Sequence, residues 1–434
     1  MCLLKGSTLT GFDIEPRTPQ PMTHLSFDTY YLDNGLKVII HRMPGIGKVV
    51  ADIVYRVGAK HENPERTGFA HLFEHLMFEG SKHIPHYDVH VEKAGGNNNA
   101  FTTNDITNYY LQLPANQLET ALWLESDRML ELDFNQKSLD VQKSVVIEEF
   151  KQRYLNQPYG RAYLELRPLM FEQHPYRWMT IGKEVEHIEQ ATLEEVKDFF
   201  FHFYAPNNAT LILAGDIRSE DAMPLVEKWF GSIPRRELGK RPLPEEPPQN
   251  QIKHKDLYAT DIPLTQVYKA WHIPARAADD YPPAEIWSEL MTGGKNAWFY
   301  QKLVVEKKVA AGIGAFSWGL HDTGKFSLNA QLVKGVSPQE YEEALQEAFH
   351  ELEQVGTAEL ERQKNKLSAV ETLEKLTAIN RAQALAIYDT LGDPNLFNTE
   401  LERYLALTPQ DLHHFRESYF RPSNCTTLNY LPAA

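Results

Sequence analysis

One pattern occurs twice along the sequence, 216 residues apart. TLEEVKDFFFHFYAPNNATLIL (192–213) aligns with TPQDLHHFRESYFRPSNCTTLN (408–429), and each copy indicates a capped helix, a Pro/Asn turn and a strand. A fainter match with an offset of 214 relates AHLFEHLMFEG (70–80) to AEIWSELMTGG (284–294). Repetition at this scale predicts that the two halves of the chain are copies of one fold.

The proline-rich stretch KRPLPEEPPQNQ marks the boundary between these halves. Its prolines and charges cannot join a helix or a central sheet strand. A chain of 434 residues is also long for one hydrophobic core and suits two domains of about 200 residues each. We therefore predict an N-terminal domain at 22–239, a linker at 240–251 and a C-terminal domain at 252–434.

Strand and helix patterns are mixed within each half. YYLDNGLKVIIHR (30–42) predicts a hairpin, and residues 49–60 and 107–114 have the composition of further strands. Residues 137–154 carry the helical spacing of apolar residues. The predicted fold class is α+β, with two homologous domains that each consist of a mainly antiparallel sheet with helices packed on one face.

The composition excludes several classes of partner and site. Acidic residues outnumber basic ones by 59 to 44, which gives a formal charge of −15 and disfavours nucleic acid or an anionic membrane as partner. The cysteines, Cys2 and Cys425, provide neither a disulfide framework nor a cysteine zinc site. No apolar run reaches the roughly 18 residues of a membrane span, and the first residues lack the apolar segment of a signal peptide. We expect a cytoplasmic protein, or a periplasmic one if a signal has been removed.

Three polar residues interrupt the apolar segment GFAHLFEHLMFEG (68–80). On a helix, His71 and His75 lie one turn apart on the same face, a spacing that suits two ligands of one metal ion. Glu74 lies beside them and can act as a general base without being a ligand. This H-x-x-E-H order is the inverse of the H-E-x-x-H helix of many zinc proteases. The alternative is that the histidines are ordinary polar residues on a helix surface.

A catalytic zinc ion usually needs a third protein ligand. The predicted helix SLDVQKSVVIEEFKQR (138–153) offers Glu148 and Glu149 after an apolar run, and a carboxylate on a mostly buried helix needs a compensating cation. Periodicity does not choose between the two glutamates. With three ligands in place, zinc would polarise a peptide carbonyl, and Glu74 would activate a zinc-bound water.

These residues resemble the insulinase/pitrilysin family of inverzincin metallopeptidases, which includes the mitochondrial processing peptidase and small bacterial relatives. The resemblance implies that His71, His75 and Glu149 hold one zinc ion per chain. It also implies that Glu74 is the base of a zinc metalloendopeptidase. The stretch GGNNNAFTTNDITNYYLQLP (95–114) is similar to the family's N-A-x-T strand, whose exposed edge binds peptide substrate by strand addition. The substrate-binding residues that this similarity implies are Asn99, Ala100 and Thr102.

The sequence departs from the family pattern at two places. A glutamate that supports the metal ligands in the family is Gln142 here, which alters the expected second layer of the site. Active members also carry an Arg and, seven residues later, a Tyr in the second half, where this chain has Val305 and Gly312. The resemblance therefore implies a subunit that needs a homologous partner carrying the Arg/Tyr pair. A heterodimer closed around a chamber for peptides or unfolded segments is the expected arrangement, and a homodimer is the alternative.

A second function stays open, namely a non-catalytic assembly or peptide-binding subunit with the family fold. The missing Arg/Tyr pair favours it, whereas retention of the full ligand set argues against it. A further histidine group, formed by His83, His86 and His90, is interrupted by Pro85 and is expected to lie at the surface.

Overall fold

The structure is a computed structural model that describes residues 24–238 and 242–433. It contains two β-sheets with helices packed around them and short 3₁₀ turns in between. Residues 22 and 23 of the predicted first domain, residues 239–241 at the start of the predicted linker, and residue 434 lie outside the described residues. The domain boundaries therefore stay predictions.

The first sheet contains six strands and the second contains five. Their bounds are β1 (Asp28–Tyr31), β2 (Lys37–Arg42), β3 (Lys48–Tyr55), β4 (Asn97–Thr102), β5 (Thr107–Pro114), β6 (Ala209–Gly215), β7 (Lys253–Ala259), β8 (Gln266–Ile273), β9 (Ala310–Trp318), β10 (Gly324–Leu332) and β11 (Cys425–Pro432). The strand orders are β1-β2-β6-β3-β5-β4 and β7-β11-β8-β10-β9. Strand β2 is parallel to β6 and β7 is parallel to β11, while the other neighbouring strands in these sheets are antiparallel. Both sheets are therefore mixed, with one parallel pair each.

The strand pairing repeats between the two sheets. Thr210 of β6 lies opposite Val54 of β3, and Thr426 of β11 lies opposite Ala270 of β8. Both partners thus shift together by the 216 residues that the sequence repeat predicts. The predicted α+β class with two homologous domains is confirmed, and β4 and β9 are the corresponding edge strands of the two sheets.

Fourteen α-helices surround the sheets in the described ranges. Their bounds are α1 (Phe69–Glu79), α2 (Tyr87–Lys93), α3 (Leu118–Leu130), α4 (Gln136–Phe150), α5 (Ala162–Met170), α6 (Val185–Glu189), α7 (Leu193–Phe203), α8 (Ser219–Phe230), α9 (Pro282–Thr292), α10 (Pro338–Glu351), α11 (Thr357–Glu374), α12 (Ala378–Thr390), α13 (Leu396–Leu405) and α14 (Pro409–Tyr419). Helix α4 continues into a π-helical turn, Lys151–Leu155, and a second π-helical segment spans Tyr300–Glu306. Among these helices, none has both the length and the apolar character needed to span a membrane.

The helices of each half cover one face of its own sheet, and a helix from the other half covers the opposite face. In the first half, Phe73 of α1 and Val146 of α4 share a core with Ile53 of β3. The opposite face of this sheet is covered by α12 of the second half, and α5 of the first half covers the second sheet in the same way. Helices α5 and α12 begin 216 residues apart. They are therefore corresponding helices exchanged between the two halves, which the sequence patterns did not reveal.

Buried ion pairs fix α12 to the first sheet. Asp389, near the end of α12, lies 2.5 Å from both Lys37 Nζ and an Arg56 guanidinium nitrogen, and its side chain is 1% exposed. The hydroxyl of Thr210 donates a hydrogen bond of 2.6 Å to the same carboxylate. A buried carboxylate with two cations and a hydroxyl has its charge balanced, so removal of it would leave cations unpaired in a poorly solvated place.

Substitution Asp389→Ala is expected to destabilise the protein by about 3 kcal/mol, because breaking a buried ion pair strands its partners. The matched control is Asp221→Ala, which removes a carboxylate that pairs with Arg218 on the surface, where both side chains are more than half exposed. That variant should lose less than about 1 kcal/mol. Urea unfolding followed by circular dichroism measures both, and equal losses would contradict this role of Asp389.

Candidate metal centre

Helix α1 is fixed in the core by its apolar side chains. The buried ones are Phe69, Ala70, Leu72, Phe73, Leu76 and Met77. The N-cap, Gly68, has a φ of 92°, and a Cβ there would lie 2.7 Å from the carbonyl oxygen of Ile181. Only glycine fits this left-handed, closely packed position. The polar side chains of His71, Glu74 and His75 are left on the half-buried remainder of the helix.

The two histidines of α1 meet Glu149 of α4. The Nε2 atoms of His71 and His75 lie 3.6 Å and 3.5 Å from the same oxygen, Glu149 Oε2. The three ligand atoms lie within 4.8 Å of one another, and the described part of the chain contains no other group of three or more His, Cys, Asp or Glu ligands this close together. Two imidazoles and one carboxylate therefore converge on a single point.

Glu148 and Glu149 point in different directions. Glu148 lies 2.8 Å from Lys151, and its side chain is 60% exposed. Consecutive residues of a helix are rotated by about 100°, so only one of the two can face α1. Glu149 turns one oxygen toward the histidines and the other toward Arg153, which lies 3.1 Å away. The open choice between the two glutamates is decided by geometry in favour of Glu149.

The protonation of the three residues suits a cation. Burial lowers the pKa of His71 to about 4, although the nearby Glu149 carboxylate acts in the opposite direction. The pKa of Glu149 is lowered, chiefly by its contact with the imidazole of His75. A neutral imidazole and an ionised carboxylate are the forms that bind metal. At neutral pH these groups therefore need no loss of protons before they can act as ligands.

Glu74 lies beside the proposed ligands and is held by the edge strand. The hydroxyl of Thr102, the last residue of β4, donates a hydrogen bond of 2.6 Å to Glu74 Oε2. Burial raises the pKa of Glu74, and the Thr102 hydrogen bond partly offsets this effect. A carboxylate with a raised pKa is a better proton acceptor at neutral pH. The sequence placed Thr102 only in substrate binding and did not predict this contact.

Strand β4 is placed where an added strand could pair with it. It is the last strand of its sheet and pairs with β5 on one side. Asn99 is exposed, and its side-chain oxygen accepts a hydrogen bond of 2.9 Å from the backbone N–H of Ala100. The predicted substrate-binding residues Asn99, Ala100 and Thr102 thus share one open edge near Glu74.

Gln142 and the positions of the expected Arg/Tyr pair lie apart from the three ligands. The Gln142 amide donates a hydrogen bond to Glu79, one turn beyond His75 on α1. Val305 lies in the π-helical segment and is 46% exposed. Gly312 lies on β9, and a Cβ there would have no heavy atom within 4 Å. The role of Gln142 stays a prediction.

The second histidine group does not converge on one point. His83 Nδ1 lies 2.6 Å from Asp127, His86 is exposed, and His90 packs edge-on against Trp123 with ring centroids 4.9 Å apart. These residues lie at the surface or pack against neighbours, as the sequence indicated.

A carboxylate at the start of α1 was not predicted from the sequence. Glu62 accepts hydrogen bonds of 2.9 Å from the backbone N–H groups of both Gly68 and Ala70. Burial raises its pKa to about 8, while these two amide hydrogen bonds lower it. The available signal was an acidic residue close before a helix start. Glu62 lies six residues before the N-cap, however, outside the usual capping pattern.

Comparison with known protein families agrees with this geometry. Residues 37–164 match the family model described as insulinase (peptidase family M16). Residues 190–367 match the model described as the peptidase M16 inactive domain. The chain belongs to the insulinase family, M16. The inactive-domain match includes most of the second half, which is the half without the histidines.

Relatives of this M16 chain include proteins named as zinc proteases. Zinc protease PqqE of Helicobacter pylori is 28% identical over 414 residues, covering 92% of each chain. The crystal structure of a protease from Helicobacter pylori superposes with a TM-score of 0.88 at 26% identity, covering 94% of this chain and 100% of that one. A peptidase M16 inactive domain from Pseudomonas fluorescens gives a TM-score of 0.83 at 18% identity, covering 94% and 98%, which supports the fold alone.

The residues present fit a zinc ion. Two imidazole nitrogens, one carboxylate oxygen and an open side are the donor set of a catalytic zinc site. The Nδ1 atom of His71 is buried and has no hydrogen-bond partner among the described residues, so Nε2 is the atom of this ring that faces the other ligands. The arrangement would hold one ion between α1 and α4.

Substitution Glu149→Gln should weaken zinc binding at least about a hundredfold, because it removes a charged ligand. Glu148→Gln is the matched control, since it changes the adjacent residue in the same way and should keep wild-type affinity. Competition with a fluorescent chelator measures both affinities. Equal affinities for the two variants, or a greater loss for Glu148→Gln, would contradict the assignment.

Proposed function

We propose that this chain is the zinc-bearing subunit of an endopeptidase that hydrolyses peptides or unfolded segments. The observation that supports this most is the convergence of His71, His75 and Glu149. Two histidines and a glutamate are the ligand set of several catalytic zinc sites. The naming of a relative as a zinc protease supports the same metal.

Glu74 is the proposed catalytic base. When bound, zinc would polarise the scissile carbonyl and lower the pKa of the attacking water. Glu74 would accept the proton of this water and return it to the leaving amine. The hydrogen bond from Thr102 holds one oxygen of the Glu74 carboxylate and thereby orients the other. Burial raises the pKa of Glu74, which strengthens it as a base.

The peptide would bind as an added strand at the edge of β4. Main-chain hydrogen bonds from such an edge bind extended peptides with little dependence on sequence. Because Thr102 of β4 also holds Glu74, a peptide on this edge would be aligned with the base. A folded protein cannot present an extended segment to this edge without local unfolding, which explains the preference for peptides and unfolded segments.

A homologous partner would complete the active site. Val305 and Gly312 provide neither a guanidinium nor a phenol, whereas peptide hydrolysis needs donors at the developing oxyanion. We propose a heterodimer with a subunit that carries the Arg/Tyr pair, and a homodimer is the alternative. Location in the cytoplasm, or in the periplasm, stays a prediction.

The second candidate function is non-catalytic assembly or peptide binding. The absence of the Arg/Tyr pair favours it. In that case the protein would bind extended peptides at β4 but would gain no cleavage activity from zinc together with a homologous partner. Isothermal titration with an unstructured peptide, in parallel with a cleavage assay, separates the two functions.

Substitution Glu74→Gln should abolish peptide cleavage while zinc affinity stays within about threefold of wild type, because Glu74 is not a ligand. General base catalysis contributes about 10² to 10⁴-fold, and a loss in this range is expected. The assay uses a quenched fluorescent peptide with zinc and a homologous subunit that carries the Arg/Tyr pair. Equal activity of wild type and variant would contradict the proposal.

Substitution Thr102→Val should raise the pKa of Glu74, because the lost hydrogen bond favours the ionised form. The base acts when ionised, so the acidic limb of the kcat/KM profile should move to higher pH by about 0.5 to 1 unit. Thr102→Ser keeps the hydroxyl and should keep the wild-type profile. A limb that shifts equally in both variants would show that the hydroxyl is not responsible.

A further inference from the structure

Glu62 is a buried carboxylate at the start of helix α1. It is 3% exposed, and each of its oxygens accepts one backbone N–H, from Gly68 and from Ala70, at 2.9 Å. The first N–H groups of a helix lack partners within the helix, and in this chain the N-caps of several other helices are Ser, Thr or Asn side chains. Helix α1 thus receives a charged group from outside its own cap.

The charge of Glu62 matters because the first turn of α1 carries a candidate metal ligand. A helix N-terminus carries roughly half a positive charge, and its effect is strongest in the first turn. His71 is the third residue of α1, so a metal cation bound there would be repelled by the end of the helix. A carboxylate placed on that end offsets the repulsion.

The second half shows the opposite arrangement of charges. Counted back from the helix at the offset of 214, Arg276 occupies the position of Glu62, and Glu285 occupies that of His71. Arg276 lies 3.3 Å from Glu285 and 3.2 Å from Glu400. Where the helix carries an anion in its first turn, the preceding loop thus supplies a cation. Where the helix carries a candidate cation site, the loop supplies an anion.

The turn that carries Glu62 is also connected to the edge strand. The N–H of Ala59 donates to Thr103 O at 3.1 Å, and the N–H of Lys60 donates to Asn104 O at 2.9 Å. Thr103 directly follows β4. The loop around Glu62 therefore links the end of the proposed substrate strand to the start of the proposed metal helix.

We propose that Glu62 is a positioning residue for the metal centre, which fixes the first turn of α1 and offsets the charge of its N-terminus so that His71 and His75 can bind a cation. This inference rests on the proposed zinc function. It adds a residue that contacts neither metal nor substrate but sets the affinity of the site.

The test is zinc affinity of the full chain, measured by competition with a fluorescent chelator. Glu62→Gln keeps the shape of the side chain but removes its charge and one acceptor oxygen. We expect a roughly ten- to hundredfold loss of affinity, the range found for groups that support metal ligands. The matched control is Ser337→Ala, which removes the N-cap of α10 in the second half. It should lose stability but keep wild-type zinc affinity.

Amide hydrogen exchange gives a second readout that does not need the variant to fold. In wild-type protein without metal, the amides of Gly68 and Ala70 should be protected despite their place at a helix start. Wild-type affinity in Glu62→Gln, or rapid exchange of both amides, would overturn the inference while leaving the proposed function intact. A wild-type protein that binds no zinc would overturn the proposed function and the metal role of Glu62 with it.

Discussion

Each sheet depends on a helix from the other half of the chain to cover its second face. Helix α12 covers the first sheet and is held there by Asp389, and α5 covers the second sheet. Apolar strand surface that is left uncovered is costly, so neither half could be removed without exposing the other. This explains why the chain keeps a second half without metal ligands. Its helix completes the sheet whose edge strand and helices form the candidate site.

The two halves differ mainly in how they balance charge at one equivalent place. In the first half, α1 presents His71 and His75 to Glu149, and a cation would complete the group. In the second half the corresponding residues are Glu285 and Glu289, which pair with the protein's own cations, Arg276 and Lys366. A buried or half-buried anion needs a compensating charge. One copy of the fold obtains that charge from side chains, and the other is suited to a metal ion.

The sequence predicted the repeat, the α+β class and the H-x-x-E-H helix, because these depend on local spacing. It left Glu148 and Glu149 open, since the choice depends on the rotation of α4 about its axis against α1. It also missed the exchange of α5 and α12, because helical periodicity shows that a helix has an apolar face but not which sheet covers it. The contacts of Glu62 and Thr102 were missed for the same reason, as each joins segments that are separate in the sequence.

The central claim is that two imidazoles and one carboxylate of this chain bind a single zinc ion. X-ray absorption spectroscopy of the zinc-loaded protein tests it most directly, because it reports the donor atoms themselves. We expect four nitrogen or oxygen donors at about 2.0 to 2.1 Å, with the multiple scattering of two imidazoles. A sulfur shell at about 2.3 Å, or a shell of six oxygens without imidazole scattering, would contradict the claim.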